Sequence, residues 1–206
     1  PAVEVDGLWT SAEEMYGKSE NCPAWNVLLV RAQGDTSTPC IHDQDDPTPN
    51  RTLAKAIIYA KTGNITFRQE VEQTLNTLVS MGFDGCSGNP LHASGQKRTL
   101  AWSRNLVGYV MAADLIGYQA PAFKTYVSQV SHNWTGEHPF TTGNKTMQEV
   151  FEQSQDNWSK WAAASLAAVA RYTGNTTELS QIRSYLLAKL NGPVPDTVIE
   201  YQQTDW

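Results

Sequence analysis

Residues 50–64, NRTLAKAIIYAKTGN, run directly into residues 65–82, ITFRQEVEQTLNTLVSMG. In the first stretch Leu53, Ala54, Ile57, Ile58 and Ala60 recur at helical spacing, as do Phe67, Val71, Leu75, Leu78 and Val79 in the second. Gly63 supplies the left-handed conformation that ends one helix, and Asn64 is a residue type that caps the next. Helices joined this tightly fold back on each other as an antiparallel hairpin. The same joint returns at Thr173-Gly174-Asn175.

The rest of the chain reads the same way. RTLAWSRNLVGYVMAADLIG (98–117) is apolar nearly all round, which predicts a helix buried on most sides. APAFKTYVSQVSHNW (120–134) carries Pro121 where a first turn tolerates it. NWSKWAAASLAAVARYTG (157–174) and ELSQIRSYLLAKL (178–190) continue the pattern, and SAEEMYGK (11–18) and PAWNVLLVRAQG (23–34) add two shorter helices. Strand signals are almost absent. The expected fold is all-α, built from antiparallel helical hairpins. Stacked hairpins with buried inner helices point to an (α/α) toroid or solenoid rather than a four-helix bundle.

Composition narrows the partners. The chain of 206 residues is 40% hydrophobic, 17% charged and carries a net charge of −6. It has no basic run for nucleic acid and no apolar stretch of the ~20 residues needed to cross a membrane. Sequons occur at Asn50, Asn64, Asn133, Asn144, Asn157 and Asn175, where chance alone gives about one or two. They point to a secreted, extracellular glycoprotein, and the start Pro1-Ala2-Val3 reads as a processed N-terminus. Cys22, Cys40 and Cys86 fit an oxidising compartment if two of them pair, with the pairing left open.

Residues 153–161, QSQDNWSKW, stand at the mouth of the alanine-rich helix. Asp156 or Asn157 suits an N-cap, and Trp158 and Trp161 suit one helix face as core residues. That reading leaves one of the two polar residues unexplained.

Three blocks carry a resemblance. IHDQDDPTPNRTLAKAIIYAKTGNITFRQEV (41–71), RTLAWSRNLVGYVMAADLI (98–116) and QDNWSKWAAASLAAVARYTGN (155–175) together resemble, in order, the alginate-lyase-like polysaccharide lyases. These are secreted (α/α) toroid enzymes that cut uronic-acid polymers, and the blocks span about two thirds of the chain. The family marks its active-site helix with Asn-Asn-Trp or Asn-Asn-His, which here reads Asp156-Asn157-Trp158. The resemblance implies that residues 1–206 form a single toroid domain lacking its C-terminal helices, with no cofactor and an acidic polysaccharide as partner. The substrate would be of the alginate or glucuronan type.

The chemistry accounts for such a motif. A uronate lyase removes the proton at C5, beside the sugar carboxylate, and expels the 4-linked group. A neutral amide must hold the carboxylate as charge moves onto it, and a Tyr or His acts as base. The resemblance makes Asn157 the catalytic amide, with Trp158 or Trp161 to stack on a sugar. It also places Arg104 and Asn105 on an inner helix facing the cleft; the alternative is a buried ion pair of Arg104 with Asp114 or another acid. His42 and Asp43 become cleft-lining substrate contacts. A glycan on Asn157 would end any catalytic role.

The family's later Arg and Tyr have no counterpart: Arg171, Arg183, Tyr172, Tyr185 and Tyr201 do not reproduce their spacing. Base and cation are therefore expected from a further segment, or catalysis has been lost and the toroid serves as a carbohydrate-binding or structural glycoprotein. A glycoside hydrolase would need two acids across a cleft, for which Asp156 with Asp43, Asp45 or Asp46 is the available set. No metal site is expected. The Asp43–Asp46 cluster lacks the regular calcium-loop pattern, and His92, His132 and His138 lack zinc spacing. His132 and His138, flanking Trp134, are further sugar-contact candidates.

Overall fold

A computed structural model describes residues 10–86, 97–138, 143–154 and 156–191. Among these the fold is mostly helical: α1 (Ala12–Tyr16), α2 (Pro23–Ala32), α3 (Thr48–Thr62), α4 (Ile65–Met81), α5 (Thr99–Leu115), α6 (Pro121–His132), α7 (Met147–Gln153), α8 (Asn157–Thr173) and α9 (Thr176–Asn191). A two-stranded antiparallel ribbon, β1 (Gly136–Glu137) and β2 (Asn144–Lys145), sits between α6 and α7. The all-α expectation holds.

Both Gly-Asn joints form as read. Gly63 and Gly174 lie at φ 71° and 79°, a region that costs other residues ~1–2 kcal/mol. Asn64 then caps α4 by accepting from the Thr66 N–H. The hairpins α3/α4 and α8/α9 result.

The nearly all-apolar α5 is the centre of the molecule. Trp102, Leu106, Tyr109 and Val110 are fully buried, each worth ~1.5–3 kcal/mol of burial. It packs most extensively on α3 on one side and α8 on the other. The α5/α8 pairing is parallel. Trp158 and Trp161 lie by Arg98 and Arg104, Ser165 Oγ donates to the Ser103 carbonyl at 2.8 Å, and the Tyr172 hydroxyl donates to the Tyr118 carbonyl. On the far side of α3, Ala54 and Ile58 face Ala32 and the α2 side chains Trp25, Leu28 and Leu29.

The segment before α3 is tied down at several points. Of the three cysteines, Cys40 and Cys86 are bonded and Cys22 is free. Asp46 accepts from the Cys40 and Thr48 N–H groups at 2.7 and 2.8 Å, so the acidic loop organises the start of α3. The ribbon docks on the start of α5, where Thr99 Oγ1 donates to the carbonyls of Gly136 and Lys145.

Two elements escape the periodicity. α7 has only seven residues and the ribbon two per strand, too few for a repeat to register. The α7 start does carry a sequence signal. Thr146 and Glu149 form a capping box, in which each side chain bonds the other's backbone N–H.

Candidate functional site

The entry to α8 decides between the two polar residues of the QSQDNWSKW stretch. Asp156 is the N-cap: its Oδ1 accepts from the N–H groups of Trp158 and Ser159 at 3.0 and 3.2 Å. Asn157 is the first helical residue and is exposed. With the cap already made, its amide is left for other work. Asn157, Lys160, Trp161 and Ala164 are all exposed, and the i, i+3, i+4, i+7 spacing puts them on one stripe. The remaining early positions, Trp158, Ser159, Ala162 and Ala163, are buried.

Two arginines from α5 and its cap meet the two tryptophans. The Arg104 guanidinium lies 5.8 Å from the Trp161 ring centre, and that of Arg98 lies 4.8 Å from the Trp158 ring centre. Trp161 keeps 40% of its surface exposed. Neither arginine has a carboxylate within 4.0 Å among the described residues. The alternative of an Arg104–Asp114 pair is not formed; Asp114 lies ten positions on, roughly 15 Å along the helix. On an acidic chain, two arginines that stack on indoles without a carboxylate partner leave positive charge available.

Behind this face, the α7–α8 junction is held from inside. His138, buried, has Nε2 3.0 Å from Ser154 Oγ and 3.7 Å from Asp156 Oδ2, and its ring meets Trp158 edge-on at 4.7 Å. Burial lowers its pKa, partly opposed by Asp156. Ser154, His138 and Asp156 are not a nucleophilic triad, because serine and carboxylate approach the same ring nitrogen and a triad needs opposite ones. Lys189 of α9 donates to the carbonyls of Phe151 and Ser154, both at 2.8 Å, and to Ser159 Oγ at 3.1 Å. Burial holds its pKa below the usual lysine value.

Other expected site residues lie elsewhere. His42 is only 3% exposed, with Nε2 2.6 Å from the Phe83 carbonyl and its ring among Phe83, Trp102 and Trp134. Asn105 is buried and donates to the carbonyls of Ile41 and Asp43 at 3.2 and 2.7 Å. Expected at a cleft, His42 and Asn105 instead fasten the segment before α3 to the core through the backbone carbonyls of Phe83, Ile41 and Asp43. Asp43 is half-buried and its Oδ1 accepts from the Asp45 N–H at 3.0 Å.

The Tyr172 and Tyr185 hydroxyls donate to the carbonyls of Tyr118 and Glu152, and burial raises both pKa values. Both hydroxyls are thus engaged as donors. His132 pairs with Glu178 at 2.7 Å between α6 and α9. His92 and Tyr201 lie outside the described residues. The sequon asparagines Asn50, Asn64, Asn133, Asn144, Asn157 and Asn175 are all exposed.

Arg98, Ser154 and Lys189 were not legible as site residues. Arg98 acquires its meaning only through Trp158, sixty positions away, and a lysine on α9 carries no sign that it reaches the carbonyls of α7. Two open surface depressions among the described residues lie apart from this face, one along α4 (Gln69 to Ser80) and one between α2 and α3 (Val27, Val30, Arg31, Arg51). Comparison of the chain with protein-family models, with curated proteins and with solved structures gave no match.

Proposed function

We propose that the α5–α8 face belongs to a secreted glycoprotein that binds acidic polysaccharide and cleaves it by β-elimination. The helical hairpins are then the described part of an (α/α) toroid, with α3, α5 and α8 as its inner helices. The single observation that carries the reading is Asn157, freed from capping by Asp156 and exposed one turn from the Arg104–Trp161 pair. A neutral amide beside a cation and an aromatic plane answers the needs of a uronate: charge stabilisation at the carboxylate and a stacking surface for the ring. The Cys40–Cys86 bond and the exposed sequons support an extracellular setting. A glycoside-hydrolase pair has less support, because the Asp156 carboxylate is occupied by the cap of α8 and faces His138.

The test is incubation of the natively secreted protein with glucuronan and alginate, following unsaturated ends in the near ultraviolet. Asn157→Ala should lower turnover by roughly a hundred- to a thousand-fold with the fold retained. Absence of elimination by the native form, or a glycan on Asn157, would remove the lyase reading.

One observation favours the second reading, a binding glycoprotein without catalysis. Among the described residues beside Asn157 no Tyr or His stands ready to take the C5 proton: His138 is buried, and Tyr172 and Tyr185 donate to carbonyls. Binding of acidic oligosaccharides without elimination would establish it.

A further inference from the structure

Arg98 and Arg104 divide the positive charge of this face between two places. Arg104 lies over Trp161, on the exposed stripe with Asn157. Arg98 lies over Trp158, at the cap of α5. Six residues separate them, roughly 9 Å along a helix. Each guanidinium lies over a different indole, so the two forks are held separately.

We infer that Arg98 is a second anion-reading residue, and that the site takes an oligomer with carboxylates on separate sugars rather than a single uronate. This rests on the acidic-polysaccharide reading above and extends it to the minimal ligand. Arg98 is half-buried and has no carboxylate within 4.0 Å among the described residues. Its guanidinium therefore keeps donors for a ligand carboxylate, in the fork geometry that makes such contacts bidentate. Stacking on Trp158 fixes the plane of that fork before any ligand arrives, which lowers the ordering cost of binding.

The carboxylate of Asp156, next to Trp158, is engaged within the protein. Asp156 gives Oδ1 to two N–H groups of α8 and turns Oδ2 towards His138. Its position at a helix N-terminus further offsets its charge. Lys160 adds positive charge on the exposed stripe, whereas Lys145 is paired with Glu149 at 4.0 Å. A ligand spanning Arg104 and Arg98 would thus run along the α5–α8 seam past the start of α8.

Calorimetric titration of the full chain with glucuronate, and with its β-1,4-linked di-, tri- and tetrasaccharides, tests this. Affinity should rise by about tenfold or more between the monosaccharide and the trisaccharide. R98Q should lose that rise. R98K, which keeps a stem over Trp158 and the charge but not the fork, should retain part of it. A far-ultraviolet spectrum of each variant checks that the helices are intact, and the R98K result stands if R98Q fails to fold.

An equal length-dependence in R98Q, R98K and the parent would overturn the inference. So would binding of neutral β-1,4-linked glucose oligomers as tightly as the acidic ones, or no binding of any acidic oligomer. Elimination without an Arg98-dependent length effect leaves the lyase reading standing and removes this one. An Arg98-dependent length effect without elimination does the reverse.

Discussion

The side-chain amide of Asn105, in the middle of α5, donates to the carbonyl of Asp43 at 2.7 Å and to that of Ile41 at 3.2 Å. One buried amide thereby holds the segment preceding α3 against the central helix. Asn105→Ala leaves the Ile41 carbonyl without its donor and the Asp43 carbonyl with the Asp46 N–H alone, and should cost about 1–3 kcal/mol. A lower urea midpoint with an unchanged slope would report it; an unshifted midpoint would mean that the segment is held by the disulfide and His42 alone.

The Cys40–Cys86 bond acts on the same segment through the unfolded chain. It spans 46 residues, and closing a loop of that size in the unfolded state is worth about 4 kcal/mol on the chain-entropy model. The C40S/C86S variant should therefore unfold at markedly lower denaturant, with Cys22 unaffected. A loss below about 1 kcal/mol would indicate that the segment stays ordered after unfolding of the rest.

Acid should loosen both ends of the α5 neighbourhood. Burial pushes the His42 pKa down from 6.5 to about 4, against the carbonyl of Phe83, which raises it. His138 is lowered by the same cause, with Asp156 opposing. Each imidazole binds fewer protons folded than unfolded in that window, so stability is fully present above pH ~6.5 and falls as the pH drops towards 4. For His42 the loss reaches about 3 kcal/mol. Denaturant midpoints at pH 7 and pH 4.5 should differ, and His42→Gln should shrink the difference. A pH-independent midpoint would contradict this account.

Asp156→Ala removes the cap of α8 and should cost about 1 kcal/mol, whereas Asp156→Asn, which retains an accepting oxygen, should cost less. Thermal unfolding of the two variants decides between a capping role and a charge role. If the Asn variant is as damaged as the Ala variant, the carboxylate charge facing His138 matters more than the cap.

The helices were legible because burial imposes its period on the sequence. The runs from Thr99 to Leu115 and from Asn157 to Thr173 have core-facing residues on every turn, and the Gly63 and Gly174 joints have a residue type dictated by backbone angle. The site was legible only where function and local pattern coincide, as at Asn157 and Trp161. His42 and Asn105 looked like cleft residues because polar side chains in an apolar context signal a binding site and a buried backbone acceptor equally well. Only the position of the Ile41 and Asp43 carbonyls separates the two. Likewise the partner of Cys40 is set by where the chain after α4 returns, which no local spacing encodes.

Lys189 makes the far end of α9 a mechanical anchor for the near end of α8. Its three bonds, to the Phe151 and Ser154 carbonyls and to Ser159 Oγ, close a loop of chain that contains the whole α8/α9 hairpin. Tension applied beyond α9 is thus delivered to the turn that presents Asn157. A protease that clips α9 ahead of Lys189 would release that turn without touching it.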